Sequence, residues 1–148
     1  MASQRAAEAV AAFNGGFSCS QAICSTYFQA FGVDRVTARK VSCGFGAGIS
    51  RSGDICGAVS GAIMVIGLAY GMARSGDVAS KEKTYRAVND FLREFRQRNG
   101  AVDCTSLIGF DLSDPSQREM AKDRKVVATR CPVFVRDAAE ILDEMLGF

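Results

Sequence analysis

Ile55-Cys56-Gly57-Ala58-Val59-Ser60-Gly61-Ala62-Ile63-Met64-Val65-Ile66-Gly67-Leu68-Ala69-Tyr70-Gly71-Met72-Ala73 is a run without a single charge, and its reading decides the fold. Its length approaches that of a membrane span. Gly57, Ser60, Gly61, Gly67 and Gly71 lower its hydrophobicity, and neither aromatic belts nor Lys/Arg clusters flank it. It therefore reads as the central helix of a soluble bundle, from about Asp54 to Arg74. The pairs Gly57/Gly61 and Gly67/Gly71 have the small-xxx-small spacing that admits a neighbouring helix at close range.

Immediately upstream, Gly44-Phe45-Gly46-Ala47-Gly48-Ile49-Ser50-Arg51-Ser52-Gly53 contains four glycines. Such a segment has poor helix propensity and a backbone free to take positive φ, so it reads as a shaped loop. Further upstream, Ser3 can cap a helix through Phe13, Ser18 one that runs to Phe31 and stops at Gly32, and Asp34 one that lasts until the glycines after Cys43. Downstream, Ser80 can cap a helix to about Arg98, with Tyr85, Val88, Phe91, Leu92 and Phe95 as its apolar stripe. Cys104 opens a short turn, Asp111 to Pro115 start a polar helix to about Val127, and a last helix runs from about Cys131 to Leu146. No sustained apolar/polar alternation suggests a strand. The expectation is a single all-α domain over residues 1–148, a compact bundle of six to seven helices around the glycine-rich apolar one.

The chain has 148 residues, 48% of them hydrophobic, 23% charged, with a formal net charge of +2. That allows an ordinary core and gives no broad basic surface, which argues against nucleic-acid binding. Charges in Met1-Ala2-Ser3-Gln4-Arg5-Ala6-Ala7-Glu8 interrupt any signal-peptide pattern, so the expected location is cytoplasmic. In a reducing compartment six cysteines are better explained as buried thiols, metal ligands or transient redox partners than as permanent disulfides. Histidine is absent, so soft-metal chemistry would fall to cysteine alone.

Four cysteines stand where helices should begin. Cys19 follows Gly15-Gly16-Phe17-Ser18, Cys56 follows Gly53-Asp54-Ile55, Cys104 follows Asp103, and Cys131 precedes Pro132, a residue favoured at the first helical position. Unpaired N–H groups and the positive end of the macrodipole favour a thiolate there. Cys24, inside a helix, and Cys43, in a last turn, read as packing residues. No Cys-x-x-Cys occurs, so any shared site must be assembled by the fold.

Cys56-Gly57-Ala58-Val59-Ser60-Gly61, taken with Cys19, Cys104 and Cys131, resembles the C_GCAxxG_C_C family of redox-active proteins, although the family label places Gly before Cys. Phe17-Ser18-Cys19-Ser20-Gln21-Ala22, the glycine loop 44–48 and Cys131-Pro132-Val133-Phe134-Val135 are similar to other segments of it, and the likeness covers about Phe13 to Leu142. The resemblance implies that Cys19, Cys56, Cys104 and Cys131 are the family cysteines. It also implies a cluster or thiol function, because a related segment accompanies an iron–sulfur centre in split-Soret cytochromes, whose haem motif is missing here.

The leading expectation is thiol/disulfide or electron transfer. Cys56 is its reactive thiolate and another family cysteine the resolving partner, which would make the protein, if an enzyme, a thiol-dependent oxidoreductase. The alternative is a metal protein in which Cys19, Cys56, Cys104 and Cys131 hold a [2Fe–2S] cluster or zinc. Gly53 and Gly57 are expected to shape the Cys56 helix start or a cofactor site. Arg51 would tune thiolate charge or, with the glycine loop, bind a phosphate-containing ligand; no strand or Gly-Lys-Ser/Thr supports a nucleotide loop, so the favoured reading is that the loop packs its backbone closely against Cys56 and its neighbours. A non-catalytic helical interaction protein with core cysteines is the last competitor. A redox partner of unknown identity and self-association as a homodimer complete the expectations.

Overall fold

A computed structural model describes residues 3–148; Met1 and Ala2, the first two residues of the opening stretch and of the expected domain, lie outside the described residues. Those described form an all-α protein of eight helices: α1 (Gln4–Asn14), α2 (Cys19–Tyr27), α3 (Arg35–Ser42), α4 (Gly57–Tyr70), α5 (Val78–Asn99), α6 (Cys104–Ile108), α7 (Pro115–Asp123) and α8 (Val126–Leu146). Short 3-10 turns follow α2 and α3 at Phe28–Phe31 and Cys43–Phe45. No strand is formed among the described residues. An isolated antiparallel bridge joins Ile55 and Asp103.

Side-chain caps set many of the starts. Ser3 accepts from the Ala6 N–H and Asp34 from that of Thr37, while Ser18 and Gln21 form a reciprocal capping box at the head of α2. The cap of α5 is Asp77, whose carboxylate takes both the N–H and the hydroxyl of Ser80. Ser80 is thus the capped residue, not the cap, and α5 begins earlier than its sequence suggests.

The apolar helix α4 lies at the centre, packed against α2, α5 and α8. Its first small-residue pair works as expected. A Cβ on Gly57 would stand 3.0 Å from the Ser20 nitrogen, and one on Gly61 would stand 3.1 Å from the Ile23 Cβ, so these glycines let α2 lie directly on α4. The second pair does not: nothing lies within 4 Å of a Cβ at Gly67, and Gly71 is already past the helix end. Also, α4 is shorter than expected at both ends. At its start, residues 54–56 bond to 102–104 instead, with Cys56 N–H donating to Val102 C=O (2.8 Å) and Cys104 N–H to Asp54 C=O (2.6 Å). Phe91 and Phe95 of α5 are fully buried, and Phe95 meets Phe134 of α8. Buried Tyr27 ties α2 to α8, its hydroxyl donating to the Asp143 carboxylate at 2.7 Å.

The glycine loop becomes a turn of left-handed backbone. Ala47, Gly48, Ile49, Ser50 and Arg51 all have positive φ, from 51° to 70°, and four of the five are not glycine. Each L-residue in this region costs roughly 1–2 kcal/mol, so neighbours must hold the turn. Asp54 N–H donates to Gly48 C=O, Ser52 N–H to Ile49 C=O, and the Ser50 hydroxyl to Gly44 C=O. A loop was expected here. Its handedness was not.

The last helix departs most from expectation. It starts at Val126, after Lys125 in left-handed conformation, and Pro132 lies inside it. Cys131 therefore sits within α8 and not at a helix start, and macrodipole assistance at that sulfur is ruled out. Proline close to a helix start removes a single intrahelical bond, and here the helix continues through it.

Candidate functional site

Four separate segments deliver sulfur to one cavity. Cys19 is the first residue of α2, Cys56 the N-cap of α4, Cys104 the first residue of α6, and Cys131 comes from α8. All four line a half-enclosed cavity of about 410 Å³. All are free thiols, with exposures of 8%, 4%, 8% and 6% respectively. Hydrophobic side chains complete the wall, among them Phe13 of α1, Phe17, Leu107, Leu112, Val127 and Phe134.

Close backbone approach makes the arrangement possible. A Cβ on Gly48 would fall 2.6 Å from the Cys104 Cβ, one on Gly46 2.7 Å from the Ser18 Cβ, and one on Gly57 3.1 Å from the Cys19 Cβ. The left-handed turn thus lies directly behind Cys104. Gly53, at φ +75°, is fixed by Thr105, whose N–H and hydroxyl both donate to the Gly53 carbonyl.

Electrostatics separates the sulfurs. The Cys56 thiol is held below its ordinary range, first by a hydrogen bond from Cys19 and then by the backbone N–H groups of Ala58 and Val59, which together outweigh its burial. Both belong to the first turn of α4 beside the N-cap sulfur, and the Val59 N–H also donates to the Cys56 C=O at 2.9 Å. Cys19 is displaced the other way, well above its ordinary range, by its contacts with Cys131 and Cys56 and by burial. One proton is therefore retained on Cys19, shared between the Cys131 and Cys56 sulfurs it faces. Burial, with the charges of Cys56 and Cys131 adding to it, pushes Cys104 up to about 12, so it stays a neutral thiol.

The structure brings Cys19, Cys56, Cys104, Cys131 and Gly57 to the cavity, but not Gly53 or Arg51. Arg51 is exposed at the end of the left-handed turn, where its backbone is used and its charge faces solvent. Cys24 is buried, donates to Gly61 C=O at 3.9 Å, and is raised by burial to about 12, as a packing thiol should be. Cys43 is exposed; the 3-10 turn that follows α3 carries it off the core, so it is not a packing residue. Sequence reasoning expects the glycine loop to pack closely here without singling out Gly46 and Gly48, and it missed the N–H donors of Ala58 and Val59. The glycine loop was a signal for the first two, and the position of Cys56 as N-cap a signal for the others.

Among the described residues no group of three or more His, Cys, Asp or Glu side chains is placed to hold a metal ion. Cys19 reaches Cys56 and Cys131, whereas Cys104 senses them only through charge. This donor set does not fit a tetrahedral four-cysteine site. No helix among the described residues is long and apolar enough to cross a membrane, as the glycines of α4 suggested.

No curated protein and no solved structure matches the chain. A family match extends over residues 17–145, under the description "Putative redox-active protein (C_GCAxxG_C_C)". Those residues span α2 to α8 and contain every sulfur of the cavity, so the chain belongs to the C_GCAxxG_C_C family of redox-active proteins.

Proposed function

We propose that the protein carries out thiol–disulfide exchange, with Cys56 as the attacking thiolate and Cys19 as its proton donor and resolving thiol. One observation carries this reading: inside a cavity shared with three further sulfurs, the Cys56 thiol is held below its ordinary range by a hydrogen bond from Cys19 and by the backbone N–H groups of Ala58 and Val59. Attack by Cys56 on a disulfide gives a mixed disulfide and a leaving thiolate, which takes the Cys19 proton. Cys19, now a thiolate, attacks the Cys56 sulfur and releases the second half of the substrate. Cys131, on the other side of Cys19, can stand in as resolving thiol, and neutral Cys104 completes the wall. The cytoplasm, which keeps free thiols reduced, suits such a protein.

Iodoacetamide, small and uncharged, provides the test. Rates resolved by peptide mass spectrometry should place Cys56 at least tenfold ahead of Cys24 and Cys104 at neutral pH. Alkylation of Cys56 should persist at pH values where an ordinary thiol has stopped reacting, because a lowered thiol pKa keeps the reactive form down to more acid pH. Labelling of Cys56 no faster than Cys24 would reject the proposal. So would one iron–sulfur cluster or one zinc per chain after anaerobic purification.

A further inference from the structure

Two properties of the cavity restrict what can reach the Cys56 sulfur. The first is access. With Cys56 4% exposed and its three companions no more than 8%, the sulfurs lie below the surface, behind Phe13, Phe17 and Leu112 at the cavity wall. Thiol–disulfide exchange needs direct approach of the attacking sulfur to the one it bonds. A disulfide held in a folded protein cannot bring its sulfur that deep, whereas a small molecule can enter. The volume, about 410 Å³, falls in the range of small-molecule sites, about 300–1,000 Å³.

The second is polarity. No Asp, Glu, Lys or Arg lines the cavity. Gln21 and Ser18 are its polar non-cysteine side chains, and both are engaged in the α2 capping box. Cations do stand around it: the Arg39 guanidinium lies 4.1 Å from the Phe17 ring centre, and Lys122 and Lys125 border a separate depression that shares Phe13 and Val127. None belongs to the wall. A carboxylate or ammonium entering would lose its hydration with no partner to replace it, while an apolar molecule loses nothing of the kind.

We propose, on the exchange reading above, that the substrate is a small, uncharged, apolar disulfide that enters the cavity whole, and that neither protein disulfides nor charged ones such as oxidised glutathione are used. In the step, Cys56 bonds to one sulfur of the substrate as its S–S bond breaks. The departing sulfur takes the Cys19 proton, and Cys19 then closes the Cys19–Cys56 disulfide. The second substrate sulfur is protonated from water. The substrate leaves as two thiols, reduced by two electrons, and the protein dithiol is oxidised by the same two.

Lipoamide and lipoic acid separate the polarity requirement cleanly, since they share the dithiolane ring and differ in one charge. The fully reduced native chain is mixed with each, with oxidised glutathione and with insulin, and disulfide formation is followed by intact mass. Lipoamide should oxidise it at least tenfold faster than any of the other three. Val127→Lys, a substitution at a wall residue that is 37% exposed, should lower the lipoamide-to-lipoate rate ratio severalfold. Lipoate, glutathione disulfide or insulin reacting as fast as lipoamide would overturn the substrate class, as would an unchanged ratio in the folded Val127→Lys protein. A native chain inert to all four reagents, or a Cys56→Ser variant as fast as the native chain, would instead sink the exchange reading itself.

Discussion

A Gly48→Ala substitution is expected to lower the unfolding free energy by about 2–5 kcal/mol, through a methyl group alone. Two effects combine. At φ +64° and ψ +49° an alanine bears the left-handed cost of roughly 1–2 kcal/mol. The new Cβ would also stand 2.6 Å from the Cys104 Cβ and 2.9 Å from both the nitrogen and the carbonyl oxygen of Asp54. Two of these neighbours are backbone atoms, the Asp54 nitrogen held by the Gly48 carbonyl and the Asp54 oxygen by the Cys104 N–H, so they cannot yield as a flexible side chain would, and overpacking of this kind typically adds about 1–3 kcal/mol. Gly32→Ala supplies the comparison, because Gly32 has φ +81° with open space around its Cβ and so reports the backbone cost by itself. Urea titrations of the two variants should differ by more than 1 kcal/mol. Equal midpoints would mean that the left-handed turn does not press on Cys104.

Replacing Cys56 by serine should leave the fold intact and reduce reaction with disulfides by at least about 100-fold, since a hydroxyl of the same shape does not ionise in the accessible range. The background should be Cys43→Ser, so that the exposed thiol does not contribute to the reading. Cys19→Ala should act differently, because Cys19 positions a proton as well as resolving. Without its hydrogen bond, the largest cause of the lowered Cys56 pKa, the pH midpoint of Cys56 alkylation should move up. The mixed disulfide should also persist longer than in the native chain, since only Cys131 is left to resolve it. A Cys19→Ala profile identical to that of the native chain would separate the two sulfurs and require another source for the Cys56 thiolate.

Local chemistry made much of this molecule legible before any coordinates. Ser3, Ser18 and Asp34 cap where hydroxyl and carboxylate side chains should, and Cys19 and Cys104 open helices behind Ser18 and Asp103. Gly57 and Gly61 mark the face of α4 that receives α2. What escaped is governed by distant partners. Residues 54–56 read as the opening of the apolar helix, yet their backbone groups bond to 102–104. Pro132 is favoured at a first helical position, but Lys125 turns the chain seven residues earlier and the proline is tolerated inside. Ala47, Ile49, Ser50 and Arg51 have no intrinsic reason to be left-handed, and only the contacts of the assembled turn impose it. The convergence of Cys19 with Cys131, residues near opposite ends of the chain, likewise exists only after α1, α2 and α8 have packed together.

The uncharged wall around the sulfurs also fixes how electrons and protons are linked. The cavity supplies compensation for one negative charge, through Ala58, Val59 and Cys19 at the Cys56 sulfur, and offers no lysine or arginine to balance a second. Reduction of a Cys19–Cys56 pair must therefore take up at least one proton from bulk water. Below the Cys56 ionisation it takes up two, and the midpoint potential should fall by about 59 mV for each unit of rising pH. Above it only one is taken up, and the slope should relax to about 30 mV, the tenfold increment of a two-electron couple. A bend in that line would thus locate the ionisation of a sulfur that solvent barely touches.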